Sequence, residues 1–167
     1  VTGVQTCALP ICNGLDAAVY SIAVSGNDIY VGGDFTSSGS RIAKWNTVSN
    51  TWSALSGGLD DSVRTIAVSG SDIYVGGYFT TTGSNVAKWN TVTNTWSALS
   101  GGLDGNVNTI AVSGSDIYVG GYFTTTGSNV AKWNTVTNTW SALSGGLSYN
   151  SAGPLSFAEI YTSVVSG

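Results

Sequence analysis

Histidine is absent from the chain, and cysteine occurs only as Cys7 and Cys12. Without an imidazole there is no Ser-His or Cys-His nucleophile pair and most metal sites are removed; two cysteines in one short stretch carry no information on redox compartment. No cofactor is expected. Charge is scarce as well: 8% of residues are charged, five Lys or Arg stand against nine Asp or Glu, and the net charge is −4. A nucleic-acid partner needs several cations on one face to displace counterions from phosphates, and no such cluster exists. The same shortage disfavours an anionic membrane surface, and no apolar run approaches the length of a membrane span. Helical spacing is missing too, because Gly or Asn interrupts every window long enough for a helix.

What is present is repetition. Residues 104–147 differ from residues 60–103 only at Gly105, Asn106 and Asn108, and residues 16–59 differ from residues 60–103 at eleven positions. Each copy is 44 residues long and holds four short apolar runs; in the first copy these are residues 19–24, 29–35, 41–45 and 51–55, separated by turns rich in Gly, Asn and Ser. A unit of this length with four strand-like runs is the signature of one propeller blade. The expected fold is therefore all-β: a partial β-propeller of three four-stranded antiparallel blades, part of a larger propeller. Residues 16–59, 60–103 and 104–147 are the expected blades. Asn13-Gly14-Leu15 aligns with the Gly-Gly-Leu that ends each copy and reads as the end of an earlier one, and residues 148–167 read as a degenerate blade or the start of a following segment. With blades on both sides, every strand should be apolar on both faces. Period-two alternation then sends Ile29 and Val31 toward one neighbouring blade and Tyr30 toward the other.

Ile73-Tyr74-Val75-Gly76-Gly77, followed by Trp89 and by Trp96 seven residues later, resembles the kelch motif. The pattern recurs at Gly32-Gly33, Trp45 and Trp52, and at Gly120-Gly121, Trp133 and Trp140; it departs from kelch in having Trp where the first aromatic is usually Tyr. The resemblance implies a binding module of a secreted or cell-surface protein, here expected to be bacterial, with a protein or glycan as ligand. Some kelch-fold proteins resemble galactose oxidase, but that copper chemistry uses His, which is missing. Residues 1–11 are similar to the in-frame translation of a sequencing-library adapter, so residues 1–12 are expected to be an artefactual tail. The physical roles stand without these resemblances. A diglycine at a strand end permits positive φ or close approach of another backbone, and two Trp per blade, each burying on the order of 200 Å², glue blades together. Stacking of sugars on these Trp is the alternative, weakened by both recurring at the same register in every copy.

With the four strands of a blade lettered from the axis outward, the fourth-to-first and second-to-third connections share one rim. Nine of the eleven differences between the first two copies fall at or beside that rim, and so do all three between the second and third. The rim is the expected binding surface, with Asp34, Asp60, Asp61, Arg64, Tyr78, Asp104, Asn106, Asn108 and Tyr122 as candidates; faster drift of longer loops explains the same pattern. Asp28, Asp72 and Asp116 are expected to cap turn N–H groups, and Lys44, Lys88 and Lys132 to lie along the Trp beside them. Three functions remain open: a non-catalytic binding or scaffold module, a fragment of a propeller hydrolase or lyase whose catalytic residues lie elsewhere, and a structural spacer. Three blades leave two open faces, to be covered by further blades of the same chain or by self-association.

Overall fold

The computed structural model describes residues 14–143. The adapter-like tail, both cysteines and residues 148–167 lie outside them. The described chain is all β. Its strands are β1 (Val19–Ser25), β2 (Asp28–Gly33), β3 (Ile42–Asn46), β4 (Thr51–Ala54), β5 (Val63–Ser69), β6 (Asp72–Gly77), β7 (Val86–Asn90), β8 (Thr95–Ala98), β9 (Asn106–Ser113), β10 (Asp116–Tyr122), β11 (Val130–Asn134) and β12 (Thr139–Ala142). They form three four-stranded antiparallel sheets in sequential order, each a simple meander. The first strands β1, β5 and β9 lie side by side, as the innermost strands of consecutive blades must. The result is a partial β-propeller.

Alternation along the second strand decides how blades stack. Tyr30 packs with Ile66, Ile73 and Trp89 of the second blade, whereas Ile29 and Val31 lie on the opposite face with Phe35 and Ala43. Tyr74 repeats this against Ile110, Ile117 and Trp133 of the third blade. Each blade therefore has a trailing face, which meets the next blade, and a leading face, which meets the one before. The tryptophans span the junction. Trp89 and Trp133 are buried in the two inter-blade cores, and each stacks edge-on against its partner, Trp96 or Trp140, with ring centroids 5.2 and 5.3 Å apart. Trp96 Nε1 donates to the Leu55 carbonyl of the preceding blade at 2.9 Å, and Trp140 Nε1 donates to that of Leu99 at the same distance. Side-chain oxygens near the axis add a second seam: Ser21 Oγ accepts from the Ile66 N–H at 3.0 Å and Thr65 Oγ1 from that of Ile110 at 3.1 Å.

The diglycine serves close approach, without positive φ at either residue. A Cβ at Gly32 would lie 2.3 Å from Val63 Cγ1 of the next blade, and one at Gly76 would lie 2.5 Å from Val107 Cγ1. The first glycine is thus a notch for the following blade's valine. At the second, a Cβ on Gly33 or Gly77 would sit 2.0 Å from the carbonyl oxygen of Ala18 or Ser62 in its own blade.

At the other rim the turn aspartates do something different from capping. Asp28 accepts from Lys44 Nζ at 3.0 Å and from Asn46 Nδ2 at 2.6 Å, and the same trio recurs as Asp72–Lys88–Asn90 and Asp116–Lys132–Asn134. The lysines accordingly end in ion pairs, and it is Asn46, Asn90 and Asn134 whose Oδ1 atoms cap the following turn. The reason is cross-strand register: Asp28 stands opposite Asn46, so the third strand delivers its polar groups to the carboxylate before the turn can.

Candidate functional site

The loops expected to share a rim do so. The Leu59 N–H donates to the Ser40 carbonyl at 3.0 Å and the Leu103 N–H to that of Ser84 at 2.9 Å, which ties each fourth-to-first connection to a second-to-third loop. All nine candidate residues lie on this rim. Asp60 and Asp104 are held by their own blade. Asp60 accepts from the Thr80 N–H and hydroxyl at 2.9 and 2.6 Å and from those of Thr81 at 3.1 and 2.8 Å, and Asp104 binds Thr124 and Thr125 in the same way, as Asp16 binds Thr36 and Ser37. At Asp60 burial pushes the carboxyl upward, but the four hydrogen bonds outweigh it and hold the group well below the usual carboxylate range. Asp16 and Asp104 are lowered likewise, chiefly by the hydroxyls of Thr36 and Thr124. These aspartates fix the loop that carries the more variable residues.

A β-bulge presents those residues. Pairing of the first with the second strand runs regularly until Val19 and Ser21 stand opposite Gly33 and Gly32, leaving Tyr20 as the extra residue; the same slip leaves out Arg64 in β5 and Asn108 in β9. A bulge re-aims the side chain it carries, and the opposing glycine admits the tightened backbone. The bulge position holds a different residue in each blade, and the position after the diglycine holds Asp34, Tyr78 and Tyr122.

At the junction of the first two blades these positions converge. The Arg64 guanidinium lies between two rings, 4.3 Å from the centroid of Tyr20 and 4.8 Å from that of Tyr78, a doubled cation–π arrangement. Its Nε is buried and has no hydrogen-bond partner. Tyr20 donates its hydroxyl to Asp34, which also accepts from Ser62 and whose carbonyl accepts from Arg41. Ser62, with Tyr20 and the two cations Arg64 and Arg41 nearby, keeps the Asp34 carboxyl below its ordinary value, and the bond to Asp34 raises the Tyr20 phenol. Asp61 is exposed and accepts from the Ser62 N–H at 2.6 Å. The structure therefore brings together Asp34, Asp61, Arg64 and Tyr78. Asn106, Asn108 and Tyr122 occupy the corresponding positions one blade on, where Arg64 stands in the place of Tyr20.

Tyr20, Arg41 and Ser62 belong to this cluster and were not among the sequence candidates. The signal was available, since all three differ between copies on this rim. The cluster offers charge of both signs, hydroxyl groups and aromatic rings, the ingredients of recognition by hydrogen bonding and stacking. Among the described residues there is no group of three or more His, Cys, Asp or Glu placed to hold a metal ion.

A family model described as the Rax2 C-terminal beta propeller domain matches residues 53–164. The chain belongs to this family. Solved structures agree on the fold of the Rax2-type propeller. The computationally designed proteins Ika8 and Ika4 each match with a TM-score of 0.55 at 19% identity over 76% of the chain. The extracellular domain of the one component system BT4673 from B. thetaiotaomicron matches with a TM-score of 0.51 at 16% identity over 74% of the chain. The Rax2-type chain spans 36% of Ika8, 72% of Ika4 and 15% of the BT4673 chain. No curated protein matches its sequence.

Proposed function

We propose that the chain is a non-catalytic binding or scaffold module of a secreted or cell-surface protein, with kelch-like blades, which recognises a protein or glycan through the rim of bulge residues. The observation that carries the reading is the concentration of chemical difference at one place. Blades that are otherwise near copies present Tyr20, Arg64 and Asn108 from the same bulge, beside Asp34, Tyr78 and Tyr122. Loop drift would give changes with no contact among them; here the residues that change are hydrogen-bonded and stacked on one another. A structural neighbour that is itself an extracellular domain supports an extracellular setting. The lack of histidine supports a role in binding over one in catalysis.

The test is a ligand screen on arrays of oligosaccharides and of extracellular proteins, comparing the native chain with a variant whose first two blades carry the third blade's rim residues at the bulge and after the diglycine (Tyr20→Asn, Asp34→Tyr, Arg64→Asn). A ligand held by the native rim should lose affinity at least tenfold. Equal binding by both proteins would remove the rim from the mechanism.

A further inference from the structure

The fold holds the Arg64 guanidinium in place without giving it an acceptor. It lies between Tyr20 and Tyr78, 4.3 and 4.8 Å from the ring centroids, and neither its buried Nε nor its terminal nitrogens meet an acceptor among the described residues. Burial stops at Nε, so Nη1 and Nη2 are open to solvent. Asp34 stands near enough for Arg64 to favour its charged form, yet its two carboxylate oxygens are taken by the hydroxyls of Tyr20 and Ser62. Arg41 gives its hydrogen bond to the Asp34 carbonyl. The donors of Arg64 are thus fixed in direction by the rings and left unused, although a guanidinium is a strong partner for an anion. Nor does the bulge need an arginine, since the third blade forms the same bulge around Asn108.

We infer that Arg64, within the binding role proposed above, on which this rests, anchors the carboxylate of an acidic sugar, a uronate residue in an otherwise neutral glycan. The guanidinium fork matches a carboxylate through paired hydrogen bonds in one plane. A single negative charge suits the surroundings, because Asp34 and Asp61 stand in the same cluster and repel a phosphate dianion more strongly than a carboxylate. The same repulsion, with a net charge of −4 over the chain, disfavours an acidic peptide that brings several carboxylates at once. A uronate carries one carboxylate on a ring whose other groups are hydroxyls, and an acceptor for those is at hand. Asp61 is exposed; the Ser62 N–H and hydroxyl both lie on its Oδ1, at 2.6 and 3.2 Å, and its Oδ2 has no partner among the described residues. Tyr20, 41% exposed, presents ring surface beside the guanidinium.

The experiment is calorimetric titration of the 167-residue chain with trisaccharides that carry one glucuronate or galacturonate on neutral sugars, each beside its methyl ester, a sulfated neutral trisaccharide and a glutamate tripeptide. The expected result is binding of a uronate trisaccharide, weakened about tenfold or more in its methyl ester and in Arg64→Lys, because lysine keeps the charge between the rings and loses the fork. Arg64→Asn places at this bulge the residue that the third blade has there, and should weaken binding as much while keeping the circular dichroism of the native chain. Equal binding of acid and ester, or native affinity of Arg64→Lys for the acid, overturns the proposal. Tighter binding of the sulfated sugar or the glutamate peptide overturns it too, in favour of a different anion. Absence of uronate binding, with a ligand from the arrays still lost in the three-residue rim variant, removes the uronate and leaves the rim in place; absence of any ligand removes both.

Discussion

Arg41 adopts φ of 71°, a left-handed conformation in which the other two blades place Asn85 and Asn129 at 70° and 71°. Asparagine tolerates that region and arginine does not. Arg41→Asn should therefore raise stability by about 1 kcal/mol, read as a higher urea midpoint; a fall would show that its bond to the Asp34 carbonyl outweighs the strain. The loop aspartates set the acid limit. Asp16, Asp60 and Asp104 are held below the ordinary value of about 3.9, so the folded state binds their protons less readily than the unfolded chain. Their contribution is complete above that value and is lost as pH falls through it toward their lower folded values. The melting temperature should stay level from neutral pH to about 5 and then drop below about 4, and the drop should be shallower in Asp60→Asn. A parallel drop in the variant would assign acid lability to other groups. An aspartate at the same register in every copy was visible in the sequence. That it serves Thr80 and Thr81 was not, because the loop closure joining residues 20 apart belongs to the blade, and no local pattern encodes it.

At the scale of the element, the two glycines of each pair should fail differently. A Cβ at Gly76 meets Val107 Cγ1 at 2.5 Å and Thr65 Cγ2 at 2.8 Å, both side-chain atoms, whereas one at Gly77 meets the Ser62 carbonyl oxygen at 2.0 Å. Gly76→Ala should cost about 1–3 kcal/mol by overpacking, and Val107→Ala should recover part of that cost in a double-mutant cycle. Gly77→Ala should cost more and gain nothing from Val107→Ala, because the obstructing atom is the bulge's own backbone. Equal rescue of both would mean that the two glycines share one role. The four strands were legible in the sequence to within two residues, since apolar runs and Gly or Asn turns map directly onto a meander. The bulge was not: leaving out Tyr20, Arg64 or Asn108 changes pairing without changing the repeat length, so three equal copies conceal it. The gathering of the site was hidden for the same reason. Sequence comparison marked Arg64 as different, but only the re-aimed backbone puts it between Tyr20 and Tyr78.

Across the described blades stability resides chiefly in the junctions, because the two larger apolar clusters each join residues of two blades. The indole bond to the preceding blade measures this directly. Trp96→Phe keeps most of the apolar area and removes the indole bond, leaving the Leu55 carbonyl with the Gly58 N–H alone, so it should cost about 1 kcal/mol, and Trp140→Phe should cost the same through Leu99, which keeps the Gly102 N–H. Trp52→Phe tests the identical residue in a blade that has no described blade before it. Its cost should be a few tenths of a kcal/mol. All three substitutions alter the same edge-on pair within a blade, at centroid distances of 5.2 to 5.3 Å, so that contribution cancels when they are compared. The remaining difference belongs to the junction. Equal losses at all three positions in chemical denaturation would instead locate the contribution of the tryptophans within the blade, and the three sheets would then be nearly independent units. Unequal losses mean that each blade is held chiefly by its neighbours. In that case the rim cluster, built from residues of two blades, holds its geometry only as long as the junction does.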